Sequence, residues 1–428
     1  MAEETPATAH ASPAHQQPSP PPARPARLPT ALVTSEHFLD HRTPQGFPEG
    51  PERLSQALAL IEALITEGTI PLSSVLRLAP RPATEEELSV VHEPGYIASV
   101  RRAVEALSIA AAGSKVDAPG PIRRFATDVY LSPGSYTAAS HAAGAALVAL
   151  DAIASGAARN GYALVRPPGH HALPAHGMGF CIFNNAAVAA RYAQQRYGWE
   201  RVLIVDYDVH HGNGTQDMFY SDPSVTYFST HQYPWYPGTG SAEEIGAGAG
   251  RGTTINVPLP AGAGWSVFDP IFRQVLWPVA DRFKPDLVLL SAGFDAHFRE
   301  DPGLGEMRLS TPDFSDLSLE VAEIADRYCD GRLVAIQEGG YHLTALSQCA
   351  ATLLVALTGS DGIIDTLGQP EPLRFRWNDE AIIQALYQLH DLSGYRRKAR
   401  RPGPIPGSQP PQATAAAPEP DQAEGKTP

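Results

Sequence analysis

Cysteine is scarce in this chain. The three present, Cys181, Cys329 and Cys349, are widely spaced and form no CxxC pair. That pattern excludes a disulfide framework and a thiolate zinc site, and it leads us to expect a reducing, cytoplasmic compartment. Positive charge is also short. Only 32 Lys and Arg face 46 Asp and Glu, a net charge of −14, which argues against direct nucleic-acid binding. Long hydrophobic runs are missing too. No stretch reads as long and apolar enough to span a bilayer, so no membrane association is expected. The first residues contain no apolar core of the kind a secretory signal needs.

What is present suffices for a large core. Hydrophobic residues make up 43% of 428. Residues 1–29 and 399–428 are rich in Pro and Ala and poor in large apolar side chains, and are expected to be disordered. Residues 30–398 read as one folded domain without an internal linker or repeat.

Within it, short apolar runs alternate with helical patterns. "YALV" (162–165), "RVLIVDYD" (201–208), "VTYFST" (225–230), "DLVLLSA" (286–292) and "RLVAIQ" (332–337) predict strands. Apolar nearly throughout, they fit a parallel sheet covered on both faces. "NNAAVAARYAQQRYG" predicts a helix capped by Asn184 or Asn185 and stopped by Gly198. "TPDFSDLSLEVAEIADRYC" predicts another, capped by Thr311 with Pro312 in its first turn. The fold class is therefore α/β, a single-domain open, mostly parallel sheet with helices on both faces.

Every unusual polar cluster falls at the carboxyl end of a predicted strand. "RPPGHHA" follows 162–165, "DYDVHHGNG" follows 201–208, "STH" ends 225–230, "GFDAH" follows 286–292 and "EGGYH" follows 332–337. In open α/β sheets that edge is where ligands bind. Asp206, Asp208 and His210 alternate and share a face if the chain stays extended. Asp208 and His210 with Asp295 from another strand supply three ligands, which leaves a fourth position for water as in a catalytic zinc site. His170 and His171 suit proton transfer, with Asp206 and Asn213 available to orient them. Two glycines before Tyr341 allow close approach, so its phenol is placed to meet a developing oxyanion. "SAEEIGAGAGRG" precedes no helix from a strand and reads as a mobile loop rather than a phosphate cradle.

The order and content of "VRPPGHHA", "GFCIFNNAAVAA", "VDYDVHHGNGTQDMF", "LVLLSAGFDAH" and "QEGGYH" resemble the zinc-dependent histone deacetylase superfamily over roughly Ala31 to Gly359. The details are closer to class II enzymes and bacterial amidohydrolases. Asn213 stands where class I members generally have Asp, and "EGGY" replaces their run of glycines. The resemblance implies a deacetylase-like catalytic domain over 30–398. It implies hydrolysis of acetyl or acyl groups from lysine side chains or related amines by a metal-activated water.

By resemblance, Asp208, His210 and Asp295 bind one zinc. His171 is the general base and acid, His170 acts electrostatically, Asp206 and Asn213 orient them, and Tyr341 completes the oxyanion site. One or two potassium ions are implied. The first would use the Asp206 and Asp208 side chains, Ser229 Oγ and the carbonyls of Asp208, His210 and Thr230; the second would use carbonyls around Phe219, Asp222 and Val225. Gly179 and Phe180, from "GF", and Tyr236 match the walls that grip an acyl-lysine stem, and Asp128 the rim residue that holds the substrate backbone. His211 falls off the shared face and is expected to be structural.

After Asp295 the chain reads "AHFREDPGLGEM". Polyamine-selective relatives carry a glutamate after "DP", where Gly303 and Leu304 stand here. Leu304 suggests an apolar rim and an acetylated lysine protein or peptide as partner. Glu306 keeps an acetylated polyamine open, and a silent acetyl-ligand binder is the third reading. "HRTPQGFPEGPERL" resembles an early loop that in some relatives shapes the rim or an oligomer contact, so a homo-oligomer stays open.

Overall fold

The computed structural model describes residues 28–112, 120–371 and 379–395. The expected disordered segments, 1–29 and 399–428, lie outside these except for Leu28 and Pro29, as does the expected end of the domain at 398.

Ten strands are numbered in chain order. They are β1 (Thr30–Val33), β2 (Val75–Leu78), β3 (Arg123–Arg124), β4 (Tyr130–Leu131), β5 (Asn160–Ala163), β6 (Val202–Asp206), β7 (Val225–Gln232), β8 (Thr254–Leu259), β9 (Leu287–Ala292) and β10 (Leu333–Gln337). Eight form one sheet in the order β2-β1-β5-β10-β9-β6-β7-β8. Every neighbouring pair in it is parallel. β3 and β4 make a separate antiparallel hairpin.

The five strands read from sequence exist, with shifted ends. β5 begins two residues early and stops at Ala163, because the chain beyond it turns into the Pro-rich "RPPGHH" loop. β6 stops at Asp206, and Asp208 already belongs to the turn. β7 runs on to Gln232, paired with Leu259. Three sheet strands were not predicted. β1 and β2 are only four residues long. β8 carries Pro258, tolerated because β8 is an edge strand with one side free of a ladder partner.

Helices cover both faces. Asn184 caps Asn185–Tyr197 by accepting from the Ala187 amide, and Gly198 closes it in the left-handed conformation. The cap of Thr311–Cys329 is Ser310, not Thr311. Its amide and hydroxyl both donate to Asp313, at 2.7 and 2.8 Å, so the cap sits one residue earlier than the sequence suggests.

Ser135–Ala154 corrects the membrane reading, since this helix is long and apolar enough to cross a bilayer. Its apolarity comes from small alanines that pack flat against β5 and the helix Asn185–Tyr197, and most of it is buried inside the protein. The stretch from Ser241 to Gly252 is also not a loose loop. Ala247 N donates to Tyr220 O, Gly252 N donates to Ile245 O, and Glu244 accepts from the Gly240 and Ser241 amides.

Candidate active site

Four adjacent central strands, β5, β10, β9 and β6, end at one place. β5 releases the histidine loop, β6 the Asp206–Asn213 turn, β9 Asp295, and β10 the Glu338–Tyr341 turn. β6 lies at a reversal of strand order: the chain leaves it outward to β7 and β8, then returns to its other side as β9. Such a switch point separates neighbouring loops and opens a crevice between them. The sequence clusters thus become one site.

Its deepest part joins Asp208, His210 and Asp295, all buried, with one ligand atom from each within 4.8 Å of the others. His210 Nδ1 lies 3.0 Å from Asp208 Oδ1 and 3.2 Å from Asp295 Oδ2. Main-chain amides fix the carboxylates: Gly339 N donates to Asp208 and Val209 N to Asp295, each at 2.8 Å. A Cβ at Gly293 or Gly339 would collide with these carboxylate oxygens, so glycine at both positions makes the cradle possible. Two carboxylates and one imidazole nitrogen converging without thiolate fit a divalent ion such as zinc. Burial and the charge of Asp208 push Asp295 up to about 7. Burial opposes charge on His210, yet hydrogen bonds to the two carboxylates carry it up to about 10.

The tandem histidines, 4.0 Å apart between ring centres, have different partners. His170 Nδ1 faces Asp206 Oδ2 at 3.1 Å. Burial disfavours its charge, but Asp208 and Asp206 outweigh that and raise it to about 10. His171 Nδ1 faces Asn213 Oδ1 at 2.8 Å. An amide oxygen only accepts, so Nδ1 holds the proton and Nε2 keeps a free lone pair. Burial, then the charges of His170 and His210, lower His171 well below the usual imidazole value. The residues available to both histidines are thus divided, a carboxylate for His170 and an amide for His171.

Tyr341 stands beside them. Burial holds its phenol well above its ordinary value, so it remains a donor. Its ring packs edge-on to Phe180 at 5.5 Å, and the Arg53 guanidinium lies 4.8 Å from its centre. Its amide donates to Glu300 at 2.8 Å.

Above this floor is a pocket of about 360 Å³ whose walls include Asp128, Gly179, Phe180, Tyr236 and Leu304. Gly179 and Phe180 form a tight turn, both left-handed, closed by Cys181 N on Met178 O. The φ of 66° at Phe180 is strained for a bulky residue and aims its ring into the wall. Asp128 accepts from Gly179 N at 3.0 Å and from the Tyr236 hydroxyl at 2.8 Å. Glu306 does not line the pocket. It pairs with Gln232, whose side chain accepts from its amide and donates to its carboxylate.

The residues assigned to potassium also cluster. Asp206 pairs in register with Ser229 on β7, and Thr230 Oγ1 is buried without a hydrogen-bond partner. His231 Nε2 faces the Gly240 carbonyl, so its Nδ1 accepts and Ser229 Oγ must donate to it, which leaves the Ser229 lone pairs free. His211 bonds Thr239 and Gln216 through its two nitrogens.

Sequence reading missed the support beneath the site. Arg166 and Glu49 form a buried bidentate pair, and burial notwithstanding, Arg166 holds Glu49 down to about 2. Arg53 bonds Glu49 and the carbonyls of Glu338 and Gly340. Phe47 of the same early segment reaches Phe180, 4.9 Å between ring centres. The only signal was charge inside otherwise apolar motifs, in "PEGPERL", "VRPPGHHA" and "QEGGYH". Trp235, whose indole donates to Leu304 O, was also unassigned.

Comparison with known proteins agrees with this geometry. The model of the histone deacetylase domain matches residues 47–357. The chain is 39% identical over 339 residues to "Histone deacetylase 14, chloroplastic" of Arabidopsis thaliana, covering 76% of this chain and 78% of that one. It is 39% identical over 315 residues to a "Histone deacetylase-like amidohydrolase" of Pseudomonas aeruginosa, covering 73% and 77%. It is 39% identical over 342 residues to human "Polyamine deacetylase HDAC10", covering 77% of this chain but only 48% of that one. Among solved structures, the HDA15 HD domain superposes with a TM-score of 0.73 at 35% identity, covering 85% of this chain and 95% of the other. The match of the domain model over most of the chain, and relatives at 39% identity, place the chain in the histone deacetylase family.

Proposed function

We propose that the protein is a zinc-dependent amidohydrolase that removes acetyl groups from lysine side chains or similarly neutral-rimmed N-acyl amines. One observation carries the reading: a neutral His171 with Nε2 free and a protonated Tyr341 converge on the Asp208–His210–Asp295 donors at the base of one pocket. Zinc held by these three side chains would polarise the amide carbonyl and make water acidic enough to attack.

The chain's own residues account for the remaining work. His171 Nε2 accepts the proton of the attacking water while Asn213 keeps Nδ1 protonated. His170, kept cationic against Asp206, stabilises negative charge beside it. Tyr341 donates its hydroxyl to the carbonyl oxygen as that oxygen becomes anionic. His171 then returns its proton to the leaving amine, giving acetate and a free amine. Phe180 and Tyr236 grip the apolar stem, and Asp128 faces the substrate's main chain. Asp206, Ser229 and Thr230 are assigned to a structural potassium.

Leu304 on the wall, with Glu306 bound to Gln232, favours acyl-lysine over polyamine. Acetylpolyamine is the second reading, kept by the Asp128 carboxylate at the wall. Three buried free thiols suit a reducing, cytoplasmic setting. The test compares an acetyl-lysine peptide with an acetylpolyamine, before and after chelation and after zinc is restored. We expect chelation to abolish hydrolysis, zinc to restore it, and the peptide to be preferred. Hydrolysis that survives complete metal removal would overturn the mechanism, and a strong polyamine preference would overturn the substrate.

A further inference from the structure

The acidic residue of "QEGGYH" has no part in the chemistry above, yet it is wholly buried beside it. Glu338 follows β10 and reaches across to the histidine loop. Its Oε2 accepts from Gly169 N at 2.6 Å and from His170 N at 3.1 Å. Its Oε1 takes the Ser291 hydroxyl at 3.3 Å. β5 has already ended at Ala163, so no sheet ladder supplies acceptors to these two amides, and buried amides require one. On the main-chain side, Arg53 Nη2 holds the Glu338 carbonyl at 2.5 Å and Arg53 Nε the Gly340 carbonyl at 2.7 Å. One residue therefore joins the turn that presents Tyr341 to the loop that presents both histidines.

We propose that Glu338 is a positioning residue whose carboxylate fixes the histidine loop against the Tyr341 turn, and so sets the distance between proton acceptor and oxyanion donor. The inference deepens the hydrolytic reading and rests on it. Oε2 accepts whether or not the other oxygen carries a proton, so what matters is an acceptor at this spot rather than a negative charge. Glutamine supplies the same geometry: its carbonyl meets the two amides, and its NH2 donates to Ser291. Methionine has a similar volume but offers no comparable acceptor.

The test uses the full-length, metal-loaded protein with Glu338→Gln and Glu338→Met, comparing kcat, KM, metal content and hydrogen exchange at the Gly169 and His170 amides. Glu338→Gln should keep kcat within about threefold, whereas Glu338→Met should lose roughly 10–100-fold in kcat at near-constant KM and metal content. In Glu338→Met the two amides should also exchange faster. Equal losses in both variants would mean that charge, not position, matters, and would overturn the proposal. A loss in Glu338→Met matched by its loss of folded protein would do the same. Should the wild-type protein hydrolyse no acyl amide, the functional reading fails separately. Amide protection still decides the positioning role then, and equal protection in wild type and Glu338→Met would refute it.

Discussion

The floor and the rim of the pocket are built in different ways. On the floor, the carboxylates and histidines leave the ends of central strands, are buried, and are held by main-chain amides or by hydrogen-bond acceptors. Gly339 N on Asp208, Val209 N on Asp295 and Asn213 on His171 are examples. At the rim, Asp128, Tyr236 and Leu304 come from loops and are partly open to solvent. There a single hydroxyl–carboxylate bond joins Tyr236 to Asp128. Buried polar groups left without partners are costly, so the floor tolerates one arrangement. The rim carries no such penalty and can vary. On the proposed reading, the floor would set the reaction and the rim the substrate.

That division can be broken experimentally. His171→Ala removes the floor's proton acceptor and should lower kcat by roughly 10²–10⁴-fold on every substrate alike. Steady-state kinetics on peptide and polyamine check this, and unequal losses would blur the division. Tyr341→Phe removes one oxyanion donor and should cost roughly 10²–10³-fold in kcat, again independent of substrate. Near-full activity would take Tyr341 out of the mechanism. Leu304→Glu alters only the rim. It should leave kcat on the peptide largely intact and raise the polyamine-to-peptide ratio of kcat/KM roughly 10-fold, the ~1.4 kcal/mol expected of one added attraction. A fall in kcat on both substrates would show that rim and floor are coupled.

Sequence reading reached the floor more easily than its supports. Asp208, His210, Asp295, His170, His171 and Tyr341 announced themselves because polar groups at the ends of apolar strands have few structural reasons to be there. β1, β2 and β8 were missed because four residues, or a strand containing Pro258, give too little periodicity to detect. The cap at Ser310 was misplaced by one residue because Thr311 is as good a capper on local grounds. Glu338, Arg53, Glu49 and Arg166 stayed hidden because each makes sense only through partners far away in the chain. Arg53, for example, bonds the Gly340 carbonyl 287 positions on.

By itself, then, the sequence determined the parallel α/β class and the inventory of candidate reactive groups, since strand patterning and polar residues at strand ends are local properties. Only the tertiary structure decided which partner each histidine receives, that Glu306 turns to Gln232 and not to the pocket, and that Glu338 ties two loops together. Those outcomes depend on the strand order β5-β10-β9-β6-β7, which brings distant segments side by side. Hydrogen bonds act over about 3 Å, and nothing in linear spacing encodes such a distance between residues 36 positions apart, as His170 and Asp206 are, or 169 apart, as Gly169 and Glu338 are.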